Sequence, residues 1–177
     1  MSRLGKCLFI ILSILFLVAV IHRNYSSNQW KTYTNKEYGF EIKYPGNWHL
    51  GEKDSGSLFS FHVGNVKKYS EEISDESLAN ESYFGINIRK DDNPNKQDVE
   101  DWYNNNLKGN TSNEPRSKII TTIEGFPAIK IEVIEIKYFA HIFIARGANI
   151  LEIIYPVSQP KFTNIYEQIL STFKFIR

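Results

Sequence analysis

The sequence predicts an α+β domain in which helices pack on a mostly antiparallel sheet. Three observations predict it. Short segments that alternate apolar and polar residues recur along the chain, turn-forming residues separate them, and two segments have helical spacing instead. Residues 30–177 are long enough to form one domain with a hydrophobic core of its own.

The predicted strands are short and follow one another through tight turns, which favours antiparallel pairing. In residues 38–44, Phe40, Ile42 and Tyr44 share one face. Apolar alternation changes phase at Val133 and Ile134, which predicts a β-bulge there. The other strands are predicted at residues 30–34, 48–53, 58–63, 82–89, 118–123, 126–137, 138–146, 149–155 and 173–176.

Two segments have the spacing of amphipathic helices. Residues 97–107 place Val99, Trp102 and Tyr103 on one side. A second helix is predicted to begin at Pro160, and its apolar positions recur every three or four residues. That stripe comprises Phe162, Ile165, Tyr166, Ile169, Leu170 and Phe173.

The N-terminus has the pattern of an export signal, because basic residues precede an uninterrupted apolar run at 7–21. That run would span about 22 Å as a helix, less than the roughly 30 Å hydrocarbon core. We expect an uncleaved signal anchor at 1–23 that crosses the cell membrane once, because small residues suited to cleavage are scarce. The alternative is secretion after cleavage. Basic residues at the N-terminus predict that the linker 24–29 and the domain lie outside the cytoplasm.

Charge and cysteine content exclude several classes of function. The net charge is +1, and residues 1–23 carry +3, so the remainder carries −2 and offers no basic surface for nucleic acid. The single cysteine, Cys7, precedes the apolar run, so it is neither a lipoprotein cysteine nor part of a disulfide in the domain. We expect a monomer.

Two motifs resemble a known family. Residues 33–48 read YTNKEYGFEIKYPGNW, and residues 169–175 read ILSTFKF. Together they resemble the bacterial PsbP-like proteins, relatives of the PsbP extrinsic subunit of photosystem II. The resemblance implies an α/β/α sandwich around an antiparallel sheet, a hairpin at Pro45 and Gly46, and docking on a membrane protein complex. Photosynthetic relatives influence calcium or manganese retention, but no metal-binding position of theirs can be matched here.

The sequence contains few candidates for chemistry. His49, His62 and His141 lie in different predicted strands, and we expect them not to meet acidic residues in one cleft. Asp91 and Asp92 begin an oxygen-rich segment that lacks the glycine and glutamate of a calcium loop. A solvated turn is favoured, with a calcium site as the alternative. No catalytic residue and no cofactor-binding residue are predicted.

The expected function is a non-catalytic, membrane-tethered binding or adaptor domain outside the cytoplasm, and not an enzyme. Two alternatives remain open. One is a carrier that holds a small molecule or lipid between sheet and helices. The other is a hydrolase whose site is assembled from residues distant in sequence.

Overall fold

Ten strands and two helices form the part of the chain that our computed structural model describes, namely residues 29–65, 82–108, 115–134, 138–158 and 160–176. The strands are β1 (Trp30–Asn35), β2 (Phe40–Pro45), β3 (His49–Asp54), β4 (Leu58–Gly64), β5 (Tyr83–Arg89), β6 (Ser117–Ile123), β7 (Phe126–Ile134), β8 (Tyr138–Arg146), β9 (Asn149–Pro156) and β10 (Lys174–Phe175). The helices are α1 (Val99–Asn106) and α2 (Pro160–Ser171).

The predicted signal anchor at 1–23 and residues 24–28 of the predicted linker lie outside the described residues. Neither described helix has the length and apolar character needed to cross a membrane. The anchor and the linker therefore stay predictions.

The strands form two antiparallel sheets. One sheet has the order β1-β2-β10, and the other has the order β3-β4-β5-β9-β8-β7-β6. This confirms an α+β fold built on antiparallel pairing, but with two sheets where one was expected. The predicted hairpin at Pro45 and Gly46 is wrong, because β2 already pairs with β1 on one edge and β10 on the other. The turn closed by the Trp48 N–H and the Pro45 carbonyl (2.9 Å) instead carries the chain between the sheets.

One face of the seven-stranded sheet is covered by α2 and by the small sheet. Because strand residues alternate in direction, Phe61 and Ile153 point to this face. They belong to a core shared with Phe40 of β2 and with Tyr166 and Ile169 of α2. All five side chains are fully buried, and burial of each contributes about 1.5–3 kcal/mol. We call this side the α2 face.

The opposite side, the α1 face, is covered by α1 over β7 and β8. Trp102 and Tyr103 pack there against Ile129, Ile131 and Phe143. The two helices thus lie on opposite faces of the larger sheet, in agreement with the α/β/α arrangement.

Helix α1 begins after Asp98, whose carboxylate accepts the N–H groups of Glu100 and Asp101, each at 2.9 Å. This cap satisfies two backbone donors that the first turn leaves without partners.

The β-bulge predicted near Val133 is wrong. The β7–β8 register runs without interruption from Ala128 opposite Ile144 to Ile134 opposite Tyr138. Ile134 is 40% exposed, so the apparent change of phase comes from an apolar side chain that faces outward at the strand end. Residues 135–137 of the predicted strand lie outside the described residues.

The turn between β1 and β2 requires glycine for two reasons. Gly39 has φ +67°, and a Cβ atom there would lie 3.0 Å from the Ile176 carbonyl oxygen. Gly56 also has a positive φ, +82°, but a Cβ atom there would meet open space. Alanine substitutions at the two glycines therefore separate the free-energy cost of a left-handed backbone from the cost of the steric clash.

We expect Gly39→Ala to lower the free energy of unfolding by about 3 kcal/mol, because it adds a steric clash to the left-handed backbone penalty. The control Gly56→Ala should cost only about 1 kcal/mol, from the backbone alone. Urea unfolding of the full chain in mild detergent, followed by tryptophan fluorescence, measures both. Equal losses in the two variants would contradict the proposed clash.

Candidate functional site

A cavity opens on the α1 face, beside the area that α1 covers. Its volume is about 360 Å³. We call it the Glu152 cavity. Adjacent strands build it, because Asn87 on β5 is directly opposite Glu152 on β9. Its lining comprises Ser57, Leu58, Asn87, Arg89, Lys90, Asp92 and Glu152.

Glu152 is the centre of a buried polar cluster. Glu152 is only 4% exposed. One carboxylate oxygen, Oε1, lies 2.8 Å from Nδ1 of His141, which is also buried. The other, Oε2, accepts hydrogen bonds from Asn87 Nδ2 at 3.2 Å and from Arg89 Nη2 at 3.2 Å. Both oxygens are therefore engaged, which is what a buried carboxylate requires.

The cluster keeps Glu152 ionised. Burial by itself raises the pKa of this carboxyl, because a low-dielectric environment disfavours charge. The hydrogen bond to His141 and the charge of Arg89 outweigh burial, so the pKa of Glu152 is lowered from its ordinary value. A carboxylate whose pKa is lowered is a weak proton acceptor, so it is poorly suited to general-base chemistry.

Arg89 links the buried cluster to the cavity surface. Its guanidinium contacts Glu152 on one side and lies 3.9 Å from the Asp92 carboxylate on the other. The neighbouring Lys90 pairs with Asp54 at 2.8 Å, and this contact raises the pKa of Lys90. Each cationic side chain that lines the Glu152 cavity thus already has an acidic partner.

The segment that contains Asp91 and Asp92 is an ordered connection. Asn93 is 1% exposed, its Nδ2 donates to the Gln97 and Gly147 carbonyls, and its Oδ1 accepts the Gln97 N–H. The Asp92 carbonyl accepts the indole N–H of Trp102 at 2.8 Å. These bonds fix the loop against α1.

The oxygen atoms of this loop therefore fit a calcium site poorly. The Asp92 carboxylate faces Arg89, and the backbone N–H of Asp91 donates to Asn149. Within the described ranges, no group of three His, Cys, Asp or Glu side chains is placed to hold a metal ion. Calcium binding at Asp91 and Asp92 stays a prediction.

The three strand histidines have different surroundings. His49 is exposed at the start of β3. His62 lies on the α1 face, where its ring is 6.2 Å from that of Tyr83, and burial lowers its pKa. His141 contacts the buried acid Glu152, a pairing that the sequence analysis did not anticipate.

Sequence analysis missed Asn87, Arg89 and Glu152. A usable signal was present, because Glu152 is the single charged residue in the apolar strand NILEIIYP and His141 interrupts the apolar strand YFAHIFIAR. A charged residue in a buried strand requires a partner. Two such strands next to each other therefore indicate a buried polar pair.

Comparison with solved structures identifies the fold. The solution structure of cyanobacterial PsbP (CyanoP) from Synechocystis sp. PCC 6803 matches with a TM-score of 0.55 and 10% sequence identity, over 84% of this chain and 93% of that one. The fold is PsbP-like. The resemblance predicted from the motifs at both ends of the domain is confirmed at the level of the fold.

A crystal structure of a Bacteroides thetaiotaomicron VPI-5482 protein matches with a TM-score of 0.50 and 15% identity, over 84% of this chain. This chain spans 49% of that protein, about half its length. No protein-family model matches the sequence, and no curated protein matches it. The PsbP-like similarity therefore concerns the architecture of the chain.

We expect Glu152→Gln to lower the free energy of unfolding by about 3 kcal/mol at pH 7, because Arg89 then loses its buried counter-charge and His141 its carboxylate partner. The pKa of Glu152 is lower in the folded chain than its ordinary 4.5, so its stabilising effect is present above that pH. The difference between wild type and variant should shrink as pH falls below 4.5.

Urea unfolding across a pH series measures this difference. The control is Glu41→Gln, which removes an exposed ion pair with Lys174 and should leave stability nearly unchanged. A constant difference between wild type and Glu152→Gln at all pH values would contradict the prediction.

Proposed function

We propose that this chain is a non-catalytic accessory domain that is tethered outside the cytoplasmic membrane and binds a membrane protein complex there. The PsbP-like fold supports an accessory role. The basic and apolar pattern of residues 1–23 supports the tether, and the polar residues 24–29 supply a short linker.

Edge strand β6 is the observation that carries the binding role. It is the last strand of the larger sheet, so its outer backbone groups have no neighbouring strand among the described residues. Two adjacent apolar side chains, Ile119 and Ile120, are 51% and 61% exposed there. An exposed apolar edge invites pairing with another chain, and proteins keep such edges mainly where a partner covers them.

Lys118 is the charged residue that could protect this edge from pairing, but its side chain lies against α1. Lys118 places its Nζ atom 4.6 Å from the centre of the Tyr103 ring and 3.8 Å from the Glu100 carboxylate, both on α1. A lysine held against a helix gives little protection to a strand edge. The adjoining isoleucines are thus left accessible to a partner, which would extend the sheet by strand addition.

A non-catalytic role is supported by the chemistry of the Glu152 cluster. A hydrolase would use the pair of His141 and Glu152, because this is the acid–base contact next to a cavity. The Nε2 atom of His141 is shielded from solvent, and the pKa of Glu152 is lowered. Substrate access and proton transfer are both disfavoured.

The burial of the side chains at the two helix–sheet contacts favours the accessory role over the lipid-carrier alternative. Tyr166 and Ile169 of α2 are 0% exposed, and Trp102 of α1 is 1% exposed. Side chains buried in this way are typical of a helix packed directly on a sheet.

The first test concerns topology. Alkaline phosphatase fused after residue 177 should be active in a bacterial host, and green fluorescent protein at the same position should be dark, because the C-terminus lies outside. The fusion should remain in membranes after a carbonate wash. Deletion of residues 2–23 should move it to the cytoplasm. A fluorescent fusion with inactive phosphatase would contradict the proposed orientation, and release into the medium would favour the secreted form.

The second test concerns the edge. We expect Ile120→Lys to abolish position-specific photo-crosslinking in vivo from a probe residue at Ser117, because a buried lysine would be costly in the paired edge. Stability should change by less than about 0.5 kcal/mol. The control is Leu50→Lys on β3, at the opposite edge, where Leu50 is 39% exposed. An equal loss of crosslinks in both variants, or no loss of crosslinks in Ile120→Lys, would argue against β6 as the docking edge.

A further inference from the structure

The small sheet has an outer face that points away from the core. Strand residues alternate in direction, and Phe40 and Ile42 of β2 are fully buried on the core side. Lys43 and Pro45 therefore point outward. The register sets Trp30 of β1 directly opposite Pro45, so both side chains lie on the outer face. The linker-proximal end of this sheet thus presents a surface of its own.

We call this surface the Trp30 patch, and it combines an exposed indole with two lysines. Trp30 is 36% exposed. Lys31 and Lys43 are exposed as well, and the segments 30–35 and 42–48 contain no acidic residue. The residues after the predicted anchor carry −2 in total, whereas the patch carries +2. The positive charge of the patch therefore contrasts with the rest of the domain.

The patch lies where the chain arrives from the predicted anchor. Trp30 begins β1, and residues 24–29 are the chain between it and the anchor. Six residues span at most about 20 Å even when they are fully extended. A folded domain of about 150 residues is about 40 Å across, so the linker reaches only half of that distance. An anchored chain must therefore keep the start of β1 close to the bilayer.

We propose that the Trp30 patch lies against the phospholipid headgroup layer of the membrane that holds the anchor. An indole favours this layer because its ring is apolar and its N–H is polar. Lysine side chains extend to the lipid phosphates and are attracted by anionic lipids. The short linker raises the effective concentration of the patch at the surface, so a small contact is sufficient.

This inference rests on the proposed tether and adds which side of the domain faces the membrane. It leaves the docking edge available, because β6 belongs to the larger sheet and the patch belongs to the small one. A protein partner at β6 and a lipid surface at the Trp30 patch are therefore compatible.

Quenching of tryptophan emission by brominated lipid tests the proposal. The full chain is reconstituted into liposomes of phosphatidylcholine and phosphatidylglycerol, with or without bromine on the acyl chains near the headgroup. Trp48 and Trp102 are only 5% and 1% exposed, so Trp30 is the tryptophan that is open to the surface. Bromine should remove up to about a third of the wild-type emission, the share of one tryptophan among three. Trp30→Phe should abolish this loss.

Two double variants with the same change in net charge separate docking from proximity alone. Lys31→Glu/Lys43→Glu reverses the charge of the patch and should abolish the bromine-dependent loss, because phosphatidylglycerol then repels it. The matched control is Lys36→Glu/Lys53→Glu, which changes two exposed lysines at the other ends of β1 and β3. The control should keep the wild-type loss. The same result in both double variants would overturn the proposal.

Flotation of the liposomes distinguishes failure of this inference from failure of the tether. A chain that does not float with the liposomes would contradict the tether, and the patch proposal would fail with it. A chain that floats, but whose emission bromine does not change, would overturn the patch proposal alone. Near-ultraviolet circular dichroism checks that each variant is folded. If a charge variant is unfolded, Trp30→Phe decides, and a bromine-dependent loss that persists in Trp30→Phe would overturn the assignment.

Discussion

The aromatic contacts around Phe40 hold the two sheets together, and the remaining architecture depends on them. The Phe40 ring lies 6.3 Å from Phe61 of β4, 6.0 Å from Phe173 after α2, and 5.8 Å from Tyr33 of β1. One residue thus joins the small sheet, the larger sheet and the end of the C-terminal helix. The Lys43 N–H donates to the Thr172 hydroxyl beside this core, at 2.9 Å. These contacts make the α2 face a continuous apolar core.

The α1 face is covered less completely, because a helix of only eight residues cannot cover seven strands. Helix α1 covers the sheet at β7 and β8, and polar side chains occupy the same face at β5 and β9. A carboxylate in such a position is costly unless it is paired. Asn87, Arg89 and His141 are therefore best understood as the partners that Glu152 requires. Desolvation offsets much of the attraction within this cluster, so its net contribution to stability is smaller than the cost of removing one partner.

These same features explain what could be predicted from the sequence. Helix α2 was placed correctly from Pro160, because its periodicity is local and strong. The hairpin of β2 with β3 was wrong, because the edge that β3 would occupy belongs to β10, more than a hundred residues later in the chain. The pairing of His141 with Glu152 likewise depends on β8 and β9 being neighbours and on their register. Local patterns define elements and their buried sides, whereas partner choice between distant strands determines the polar site.

The two arginines on opposite faces of the larger sheet differ in how their charges are balanced. In the Glu152 cavity, Arg89 already lies between two carboxylates, so an incoming anion or cation would have to displace an existing partner. Arg146, on the α2 face, is instead held between the rings of Phe126 and Phe175, and its Nη1 atom is shielded from solvent. Aromatic rings stabilise a cation without carrying a charge of their own, so the α2 face admits Arg146 while it stays apolar, whereas the arginine of the α1 face is paired with carboxylates.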